Sequence, residues 1–369
     1  MQSTTYLIVG GGMTADAAVQ GIREHDAEGR IVLVGDEAHA PYKRPPLSKK
    51  LWAGGDEASV WKNTEGADLV LGRKIVALDL DAHRATDDQG EEYEFEKVLL
   101  ATGGSPRRLG GGDGDVVYFR TLDDFRNLKS RISDGTRVTV IGGGFIGSEL
   151  AAALVANGAK VTMIFPEPTI GFRLFPRDLG DFVTQYYRDK GIEIDAGGTV
   201  NDVADLDADI VVAGLGIVPN VELAAAAGLP VDNGIVVDEY GRVDGRDDVF
   251  AAGDVANYPS PALGKRFRVE HEDHANTHGK VVGANMAGAR QPYDHIPFFY
   301  SDLFDLGYEA VGEVDSRLKT AESWEEPFRK GTVAYLDEDG HARGFLLWNV
   351  WDKLDAARDA IKAGEGALV

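Results

Sequence analysis

Residues 6–36 read YLIVGGGMTADAAVQGIREHDAEGRIVLVGD, and this stretch decides the fold. An apolar run at 6–9 leads into three glycines at 10–12, an alanine-rich stretch follows at 15–25, and a second apolar run occupies 30–34. This order is typical of a strand, a tight turn, a helix and a second, parallel strand. The sequence therefore predicts a βαβ unit of the kind that begins a nucleotide-binding sheet.

The same arrangement returns in residues 137–167, RVTVIGGGFIGSELAAALVANGAKVTMIFPE. The second glycine turn begins 132 residues after the first, and the pattern predicts strands at 137–141 and 160–165 around a helix at 146–157. Each half also closes with an apolar strand that runs into small residues and a proline, at 98–106 and 210–219. The chain is therefore expected to be duplicated at the level of architecture.

Small residues at set positions suit each turn to a dinucleotide. In Gly10-x-Gly12-x-x-Ala15, the first glycine permits a tight turn, the second lets the backbone approach a pyrophosphate, and the alanine permits close packing of helix on strand. The amino terminus of the helix would favour the phosphates through its unpaired N–H groups. Asp36, 26 residues after Gly10, would accept hydrogen bonds from a ribose. A glycine turn without a ligand is the alternative for this motif taken by itself.

The second fingerprint, Gly142-x-Gly144-x-x-Gly147, is followed by Glu167, 25 residues after Gly142. A carboxylate at this place would repel a 2′-phosphate, so we expect a preference for NADH over NADPH, which the nearby Arg173 could weaken. An ordinary loop carboxylate is the alternative for Glu167. Two dinucleotide sites in one chain indicate that one nucleotide carries a flavin and that the other delivers hydride to it.

Composition excludes several kinds of chemistry. The 369-residue chain has 38 basic and 61 acidic side chains, a net charge of −23, which disfavours nucleic acid and anionic lipid as partners. It has no cysteine, which excludes disulfides, thiolate metal sites, iron–sulfur ligation and a cysteine relay. The first residues lack the features of a signal peptide, and charged residues interrupt the most apolar stretch, 138–165. We therefore expect a cytoplasmic protein without stable membrane insertion.

A third region begins near residue 297, where aromatic residues precede alternating segments at 331–336 and 344–348 and a helix predicted at 352–363. Strands followed by a helix indicate an α+β module. The stretch LGGGDGD at 109–115 has the glycine and aspartate content of a flexible connection. The predicted fold class is therefore α/β, with two Rossmann-like dinucleotide-binding domains and a C-terminal α+β domain.

Several further stretches occur in an order that is specific to one family. They are APYKRPPLSKK (40–50), ATGGSP (101–106), IGGGFIGSEL (141–150), VPNVEL (218–223), AAGDVANY (251–258) and RVEHEDHA (268–275). With them, the chain resembles the FAD-dependent pyridine nucleotide oxidoreductases of the ferredoxin reductase and apoptosis-inducing factor type. The tail motifs SDLFDLGYEAVG (301–312) and GFLLWNV (344–350) are most similar to the apoptosis-inducing factor branch. The chain departs from that branch at Glu272, where a second histidine is usual, and at Tyr300, where tryptophan is usual.

The resemblance implies a set of cofactor contacts and a division into domains. It implies an FAD-binding domain at 1–117 and 247–297, an NAD(H)-binding domain at 118–246 and a C-terminal domain at 298–369. The implied FAD contacts are Gly10, Gly11, Gly12, Met13, Thr14, Asp36, Glu37, Arg44, Lys49, Ile75, Thr102, Gly103, Arg120, Asp254, His271, Glu272 and Tyr300. The implied NAD contacts are Gly142, Gly143, Gly144, Phe145, Ile146, Glu167, Arg173, Gly216, Glu270 and Glu309.

Three residues resemble the catalytic groups of the family. Lys49 and Glu149 resemble an ion pair beside the flavin, in which the lysine would stabilise the negative charge of the reduced ring. A surface salt bridge of little energy is the alternative. Phe145 resembles the aromatic residue near the nicotinamide and flavin rings, and a place in the helix core is its alternative.

The segment 270–274, EHEDH, permits a metal site by its ligand types, but the family match explains it without a metal. Asp273 is instead predicted to be the N-cap of a helix at 275–287, whose positive end would favour the reduced flavin.

We expect an enzyme that passes hydride from NADH to FAD and then electrons to an external acceptor, either a ferredoxin- or rubredoxin-type protein, a quinone or a small oxidant. A slow NADH-sensing flavoprotein, in which the redox state controls dimerisation and partner binding, is the alternative; a homodimer is compatible with either.

Overall fold

The structure is a computed structural model that describes residues 2–110 and 115–366. Its contacts divide the chain into two compact units. The first unit comprises Met1–Lys43, Glu57–Ser105 and Pro219–Pro297, and the second comprises Arg44–Asp56, Pro106–Val218 and Phe298–Val369. Most of the connection predicted at 109–115 lies outside the described residues.

The described residues form strands and helices in the following order. The strands are β1 (Gln2–Val9), β2 (Ile31–Gly35), β3 (Asp68–Leu71), β4 (Ile75–Asp79), β5 (Arg84–Asp87), β6 (Glu92–Leu100), β7 (Gly104–Pro106), β8 (Val116–Tyr118), β9 (Arg137–Ile141), β10 (Lys160–Phe165), β11 (Glu193–Ala196), β12 (Ile210–Ala213), β13 (Ile217–Pro219), β14 (Ile235–Val236), β15 (Val249–Ala251), β16 (Ala256–Ser260), β17 (Lys265–Phe267), β18 (Phe298–Leu303), β19 (Leu306–Gly312), β20 (Lys319–Glu326), β21 (Lys330–Leu336) and β22 (Ala342–Trp348). The helices are α1 (Met13–His25), α2 (Leu122–Arg131), α3 (Phe145–Ala156), α4 (Arg177–Asp189), α5 (Glu222–Ala226), α6 (Glu272–Met286) and α7 (Leu354–Ala363).

The main sheet of the first unit has the strand order β3-β2-β1-β6-β5-β4, and β15 also pairs with β6. Strand β1 is parallel to β2 and to β6, so the predicted βαβ unit is confirmed. Helices α1 and α6 pack closely, since a Cβ on Gly21 would lie 2.0 Å from the carbonyl oxygen of Lys280. Strand β2 is apolar and buried at every residue, as expected for a parallel strand that is covered on both faces.

The second unit contains a parallel sheet of order β11-β10-β9-β12-β8, in which β9 is joined to β10 through α3. The duplicated architecture is thereby confirmed. An antiparallel sheet of order β18-β19-β22-β21-β20, followed by α7, forms the predicted C-terminal α+β module. In its core Trp348 stacks on Tyr308, with ring centroids 5.7 Å apart, and Phe175 meets both rings edge-on.

Each half closes as predicted, with an apolar strand that runs into small residues. Strand β6 ends at Leu100, and β7 begins after Gly103, whose φ of +63° breaks the extended chain. Strands β12 and β13 repeat this arrangement. The predicted start of the last helix at 352 is wrong. Helix α7 begins at Leu354, because Asp352 has a left-handed φ of +63° that no helix contains.

No helix among the described residues combines the length and the apolar character that crossing a membrane requires.

Candidate active site

The first glycine turn has the geometry of a dinucleotide site. Gly10 has a φ of +125°, and a Cβ there would lie 2.1 Å from the carbonyl oxygen of Ala101. Gly12 is the N-cap of α1, and no atom lies within 4 Å of the position its Cβ would take. The helix begins at Met13 without a side-chain cap, so its first N–H groups can bind an anion. These features fit a pyrophosphate.

Two carboxylates follow β2, the strand that pairs with β1. Asp36 and Glu37 come directly after β2, with Asp36 exposed and Glu37 half-buried. The hydroxyl of Tyr42 donates a hydrogen bond to Glu37. Gly35 lies against Gly11, with 3.2 Å between a Cβ on Gly11 and the Cα of Gly35, so the acidic residues begin beside the glycine turn. This position suits the ribose end of a dinucleotide.

A second turn in the same unit approaches the fingerprint. Asp254 lies half-buried in the short 3₁₀ turn Gly253–Val255, and a Cβ on Gly253 would lie 2.1 Å from the hydroxyl oxygen of Thr14. The structure therefore brings Thr14 and the Asp254 turn together. Ile75 is different, since its side chain is 4% exposed and lies in the hydrophobic core, where only its backbone is left to contact a cofactor.

Thr102 and Gly103 lie in the segment between β6 and β7. The Thr102 hydroxyl donates to the carbonyl oxygen of Asn220 at 2.8 Å, and Asn220 Nδ2 donates back to the carbonyl oxygen of Thr102 at 2.8 Å. This reciprocal pair fixes the backbone of the segment that follows the central strand.

The prediction that Asp273 caps α6 is wrong. His271 is the N-cap, with extended φ and ψ of −118° and 150°, and Glu272 and Asp273 occupy the first turn, where negative charge is favourable. Burial lowers the pKa of His271 to about 4, although Asp254 and Asp273 raise it, so the ring is neutral at pH 7. Glu270, expected at the NAD site, forms an ion pair with Arg268 at 2.6 Å.

The second unit repeats the glycine geometry. Gly142 has a φ of +114°, and a Cβ there would lie 2.4 Å from the carbonyl oxygen of Gly214. Gly144 is the N-cap of α3, with no atom within 4 Å of its Cβ position. A Cβ on Gly147 would lie 2.0 Å from the carbonyl oxygen of Gly142, and one on Gly143 would lie 2.9 Å from the ring of Phe165. Gly144 is therefore the glycine of this turn whose open Cβ position fits the close approach of a ligand.

The remaining residues expected to bind NAD have the following surroundings. Glu167 is half-buried in the loop after β10, and its backbone oxygen accepts a hydrogen bond from Gly197 at 3.1 Å. Arg173 is exposed, and Gly216 has a φ of +80° just before β13. Burial, and after it the charge of Asp352, raise the pKa of Glu309, whose Oε2 is buried without a hydrogen-bond partner within the described residues.

The predicted ion pair is present and buried. Lys49 Nζ lies 2.7 Å from Glu149 Oε1, and the two side chains are 13% and 4% exposed. The alternative of a surface salt bridge is therefore excluded. Lys49 directly follows the short 3₁₀ turn Pro45–Ser48. Glu149 is the fifth residue of α3, which begins directly after Gly144.

Aromatic rings flank this pair. Phe145 is the first residue of α3 and is 41% exposed, so it does not belong to the helix core; its ring meets Phe299 edge-on, with centroids 5.0 Å apart. Tyr300, 37% exposed, lies under the ammonium of Lys49 at 5.1 Å from its ring centroid. Arg44 donates to the carbonyl oxygen of Arg120 at 3.0 Å, and this hydrogen bond joins the proline loop to the segment that follows β8.

Sequence reasoning missed two serines at the ion pair. Ser301 Oγ donates to Glu149 Oε1 at 2.6 Å, and Ser48 Oγ donates to Glu149 Oε2 at 2.5 Å. Ser48 precedes Lys49 in the proline loop, which is a weak signal, and Ser301 has no local signal because its strand is distant in the sequence.

A group of buried aromatic and histidine rings in the first unit was also missed. His274 and His278 are fully buried one turn apart on α6, their rings are stacked with centroids 4.7 Å apart, and Tyr258 stacks on His274. Burial lowers the pKa of His278 to about 3 and that of His274 well below its usual range. Both rings are therefore neutral at pH 7. Elsewhere, Asp337, Asp339 and His341 have metal-ligand spacing on an exposed turn.

Comparison with known proteins gives consistent matches. A profile of the family described as Pyridine nucleotide-disulphide oxidoreductase matches residues 4–279, and one described as Apoptosis-inducing factor, mitochondrion-associated, C-term, matches residues 282–327. Apoptosis-inducing factor 1, mitochondrial, of Dictyostelium discoideum is 35% identical over 415 residues, which cover 96% of this chain and 78% of that protein.

The ferredoxin–NAD(+) reductase component of the anthranilate 1,2-dioxygenase system of Burkholderia cepacia is 34% identical, and the match covers 99% of this chain and 95% of that protein. Among solved structures, a ferredoxin reductase from Rhodopseudomonas palustris superposes with a TM-score of 0.87 at 30% identity, covering 94% of this chain and 91% of that one. The chain belongs to the pyridine nucleotide-disulphide oxidoreductase family and is an oxidoreductase that works with FAD and NADH.

Proposed function

We propose that this enzyme passes the electrons of NADH through FAD to an external one-electron acceptor, a small redox protein of the ferredoxin or rubredoxin type. The observation that carries the proposal is the Lys49–Glu149 pair, in which Glu149 is buried and Lys49 lies over the partly exposed ring of Tyr300. Phe145 lies one helical turn before Glu149 in α3. A part-buried cation over an aromatic ring suits a site where negative charge develops during hydride transfer.

The residues of the chain have separable tasks in this function. When bound, FAD accepts the two electrons of a hydride and releases them singly. The open backbone at Gly12 and Gly144 would hold the two pyrophosphates at helix amino termini, and Asp36 and Glu167 would bind ribose hydroxyls. Lys49 would stabilise negative charge, and the exposed ring of Phe145 would lie against the cofactor rings. For each NADH oxidised, two one-electron acceptors are reduced and one proton is released.

The remaining assignments expected from the sequence are part of the same proposal. The proposed domain boundaries at 117, 246 and 297 divide the chain by cofactor. They differ from the two contact units in residues 44–56, 106–117 and 219–246, and the second contact unit also includes the proposed C-terminal domain. The implied FAD and NAD contacts outside the glycine turns stay predictions, as do a homodimer and a cytoplasmic location. Mass measurement in solution and cell fractionation test the last two.

The choice of acceptor rests on two supports. Relatives that cover most of this chain are ferredoxin reductase components, and the chain has no cysteine, so electrons have no dithiol to pass through before they leave. The net charge of −23 opposes an acidic ferredoxin. We therefore expect that the acceptor has a less acidic docking face, and a quinone or a small oxidant is an outcome of the test.

A slow redox sensor is the second candidate. It is favoured by the similarity to the Dictyostelium apoptosis-inducing factor and by the C-terminal profile match. A long-lived reduced flavin together with a change of mass on NADH addition would support it. Rapid reoxidation by a partner would support the reductase.

The proposed function is tested by stopped-flow reduction with NADH followed by an acceptor screen. We expect fast flavin reduction and fast reoxidation by at least one ferredoxin or rubredoxin, faster than by oxygen or by quinones. Reoxidation by quinone alone would remove the protein acceptor from the proposal. A matched control is Lys49→Met, which should slow the chemistry but leave NADH binding at the second fingerprint intact.

A further inference from the structure

The carboxylate of Glu149 accepts hydrogen bonds from side chains on separate segments of the second unit. Its Oε1 accepts from Lys49 Nζ at 2.7 Å and from Ser301 Oγ at 2.6 Å, and its Oε2 accepts from Ser48 Oγ at 2.5 Å. Ser48 lies in the proline loop and Ser301 in β18, while Glu149 lies in α3. One buried side chain therefore joins a loop, a helix and a strand.

Both hydroxyls donate to this carboxylate, and the Ser301 side chain also makes a hydrogen bond with the phenol of Tyr308. Ser48 and Ser301 are 4% and 1% exposed, so water does not compete for their protons. The other acceptor near Ser48, the carbonyl oxygen of Pro45, is 3.5 Å away, at the limit of a hydrogen bond. A hydroxyl has one proton to donate, and an ionised carboxylate only accepts. The arrangement therefore matches an ionised Glu149.

The neighbouring titratable groups do not replace the serines. Tyr187 of α4 and Tyr308 of β19 face Glu149, and burial, followed by the Glu149 charge, raises the pKa of each phenol well above its usual range. Both are neutral, and the Tyr187 hydroxyl donates to the carbonyl oxygen of Ser148 at 3.1 Å instead. Charge balance at Glu149 thus depends on Lys49, and hydrogen bonding depends on Lys49 and the serines.

We propose that Ser48 and Ser301 are positioning residues that act through Glu149. Their two hydrogen bonds favour the ionised carboxylate over the protonated acid in a buried site, and the ionised carboxylate neutralises and orients Lys49. The part of this inference that concerns the flavin rests on the proposed function, which places Lys49 beside the ring.

Loss of both hydroxyls removes two donors from a buried carboxylate, which favours its protonated form and leaves the charge of Lys49 less well compensated. An uncompensated cation favours the reduced flavin. The S48A/S301A variant should therefore shift the reduction equilibrium of bound FAD at least tenfold toward reduction at pH 7, about 30 mV for a two-electron couple. The shift should increase as the pH falls.

The test is a double-mutant cycle read by dye equilibration of the flavin potential. E149Q alone should raise the potential, and S48A/S301A/E149Q should equal E149Q, because the proposal has the serines act only through Glu149. S48T/S301T, which keeps both hydroxyls, should retain the parent value, and S316A, which removes a hydroxyl that donates to the carbonyl oxygen of Phe172, should change nothing. An unchanged potential in S48A/S301A, or an additive shift in the triple variant, overturns the inference.

Infrared spectroscopy gives a second readout that needs no flavin. A carboxylic acid band should be present in S48A/S301A at pH 7, absent in the parent and in S316A, and lost in the triple variant. Should the parent bind no FAD, the proposed function fails while this band still decides the role of the serines. Without that band in a folded S48A/S301A, or in S48C/S301C, whose thiols are weak donors of similar size, should the double alanine variant fail to fold, the inference is wrong.

Discussion

The space around each glycine's Cβ position distinguishes glycines that the fold requires from glycines that a ligand would require. Among the described glycines without a positive φ, those with no atom within 4 Å of the position that a Cβ would take are Gly12, Gly110 and Gly144. Two of these three are the N-caps of α1 and α3. We predict that Gly144→Ala keeps the fold and weakens NADH binding.

The expected size of the effect follows from the geometry. Gly144 has φ and ψ of −86° and −164°, which alanine adopts readily, so the change costs the fold at most about 1 kcal/mol as a poorer N-cap. The new methyl group occupies the place where a pyrophosphate approaches the backbone. Loss of one hydrogen bond to a charged group costs about 1.5–3 kcal/mol, and NADH affinity should fall roughly 10- to 150-fold.

The assay is NADH affinity from anaerobic titration, together with the melting temperature. Gly110→Ala is the matched control, with the same open Cβ position away from both turns, and should change neither. Gly147→Ala should instead destabilise the protein by about 1–3 kcal/mol, because its Cβ would lie 2.0 Å from the carbonyl oxygen of Gly142. Unchanged NADH affinity in Gly144→Ala would refute the assignment of this turn.

Three further predictions concern carboxylates and buried histidines. Asp36→Ala should lower the flavin-to-protein absorbance ratio after purification, since the ribose loses its acceptor. Glu167→Ala should raise the use of NADPH relative to NADH, measured as the ratio of kcat/KM values, because repulsion of the 2′-phosphate is removed. His278 has a folded pKa of about 3, below its unfolded value of 6.5, so the folded state binds fewer protons and stability falls as the pH decreases from 6.5. The loss is about 1.4 kcal/mol per pH unit, and His278→Gln should reduce this slope in urea unfolding between pH 6.5 and 5.

Each of these has an outcome that would contradict it. Equal flavin content in Asp36→Ala removes the ribose contact, and an unchanged NADPH/NADH ratio in Glu167→Ala removes the specificity assignment. For His278→Gln, the test is the slope of the unfolding free energy with pH. The absolute free energy of unfolding is not a test, since a cavity or an unpaired amide lowers it at every pH. A slope equal to that of the parent would show that the imidazole of His278 is not held neutral.

The sequence predicted the secondary structure correctly where it depends on residues close together in the chain. The strands and helices of both βαβ units follow from hydrophobic period and glycine spacing, and the bounds of β9 and β10 are those predicted. The N-cap of α6 was misplaced because aspartate has a high capping propensity, whereas Asp273 gains as much from the positive helix end within the first turn. Propensity does not distinguish these two positions.

The candidate site shows the same limit at longer range. The Lys49–Glu149 pair could be expected because both residues belong to recognisable motifs, but its burial could not, since burial depends on β18 and α4. Ser301 pairs with Glu149 across 152 positions of sequence, a distance at which no periodicity operates. The exposure of Phe145 likewise depends on what packs against the first turn of α3.

The most direct measurement is an anaerobic titration of the purified protein with NADH, followed by addition of an oxidised ferredoxin. We expect flavin absorbance to be lost with one equivalent of NADH and to return as two equivalents of ferredoxin are reduced. A protein without flavin absorbance, or a flavin that NADH does not bleach, would contradict transfer from NADH to FAD in this chain.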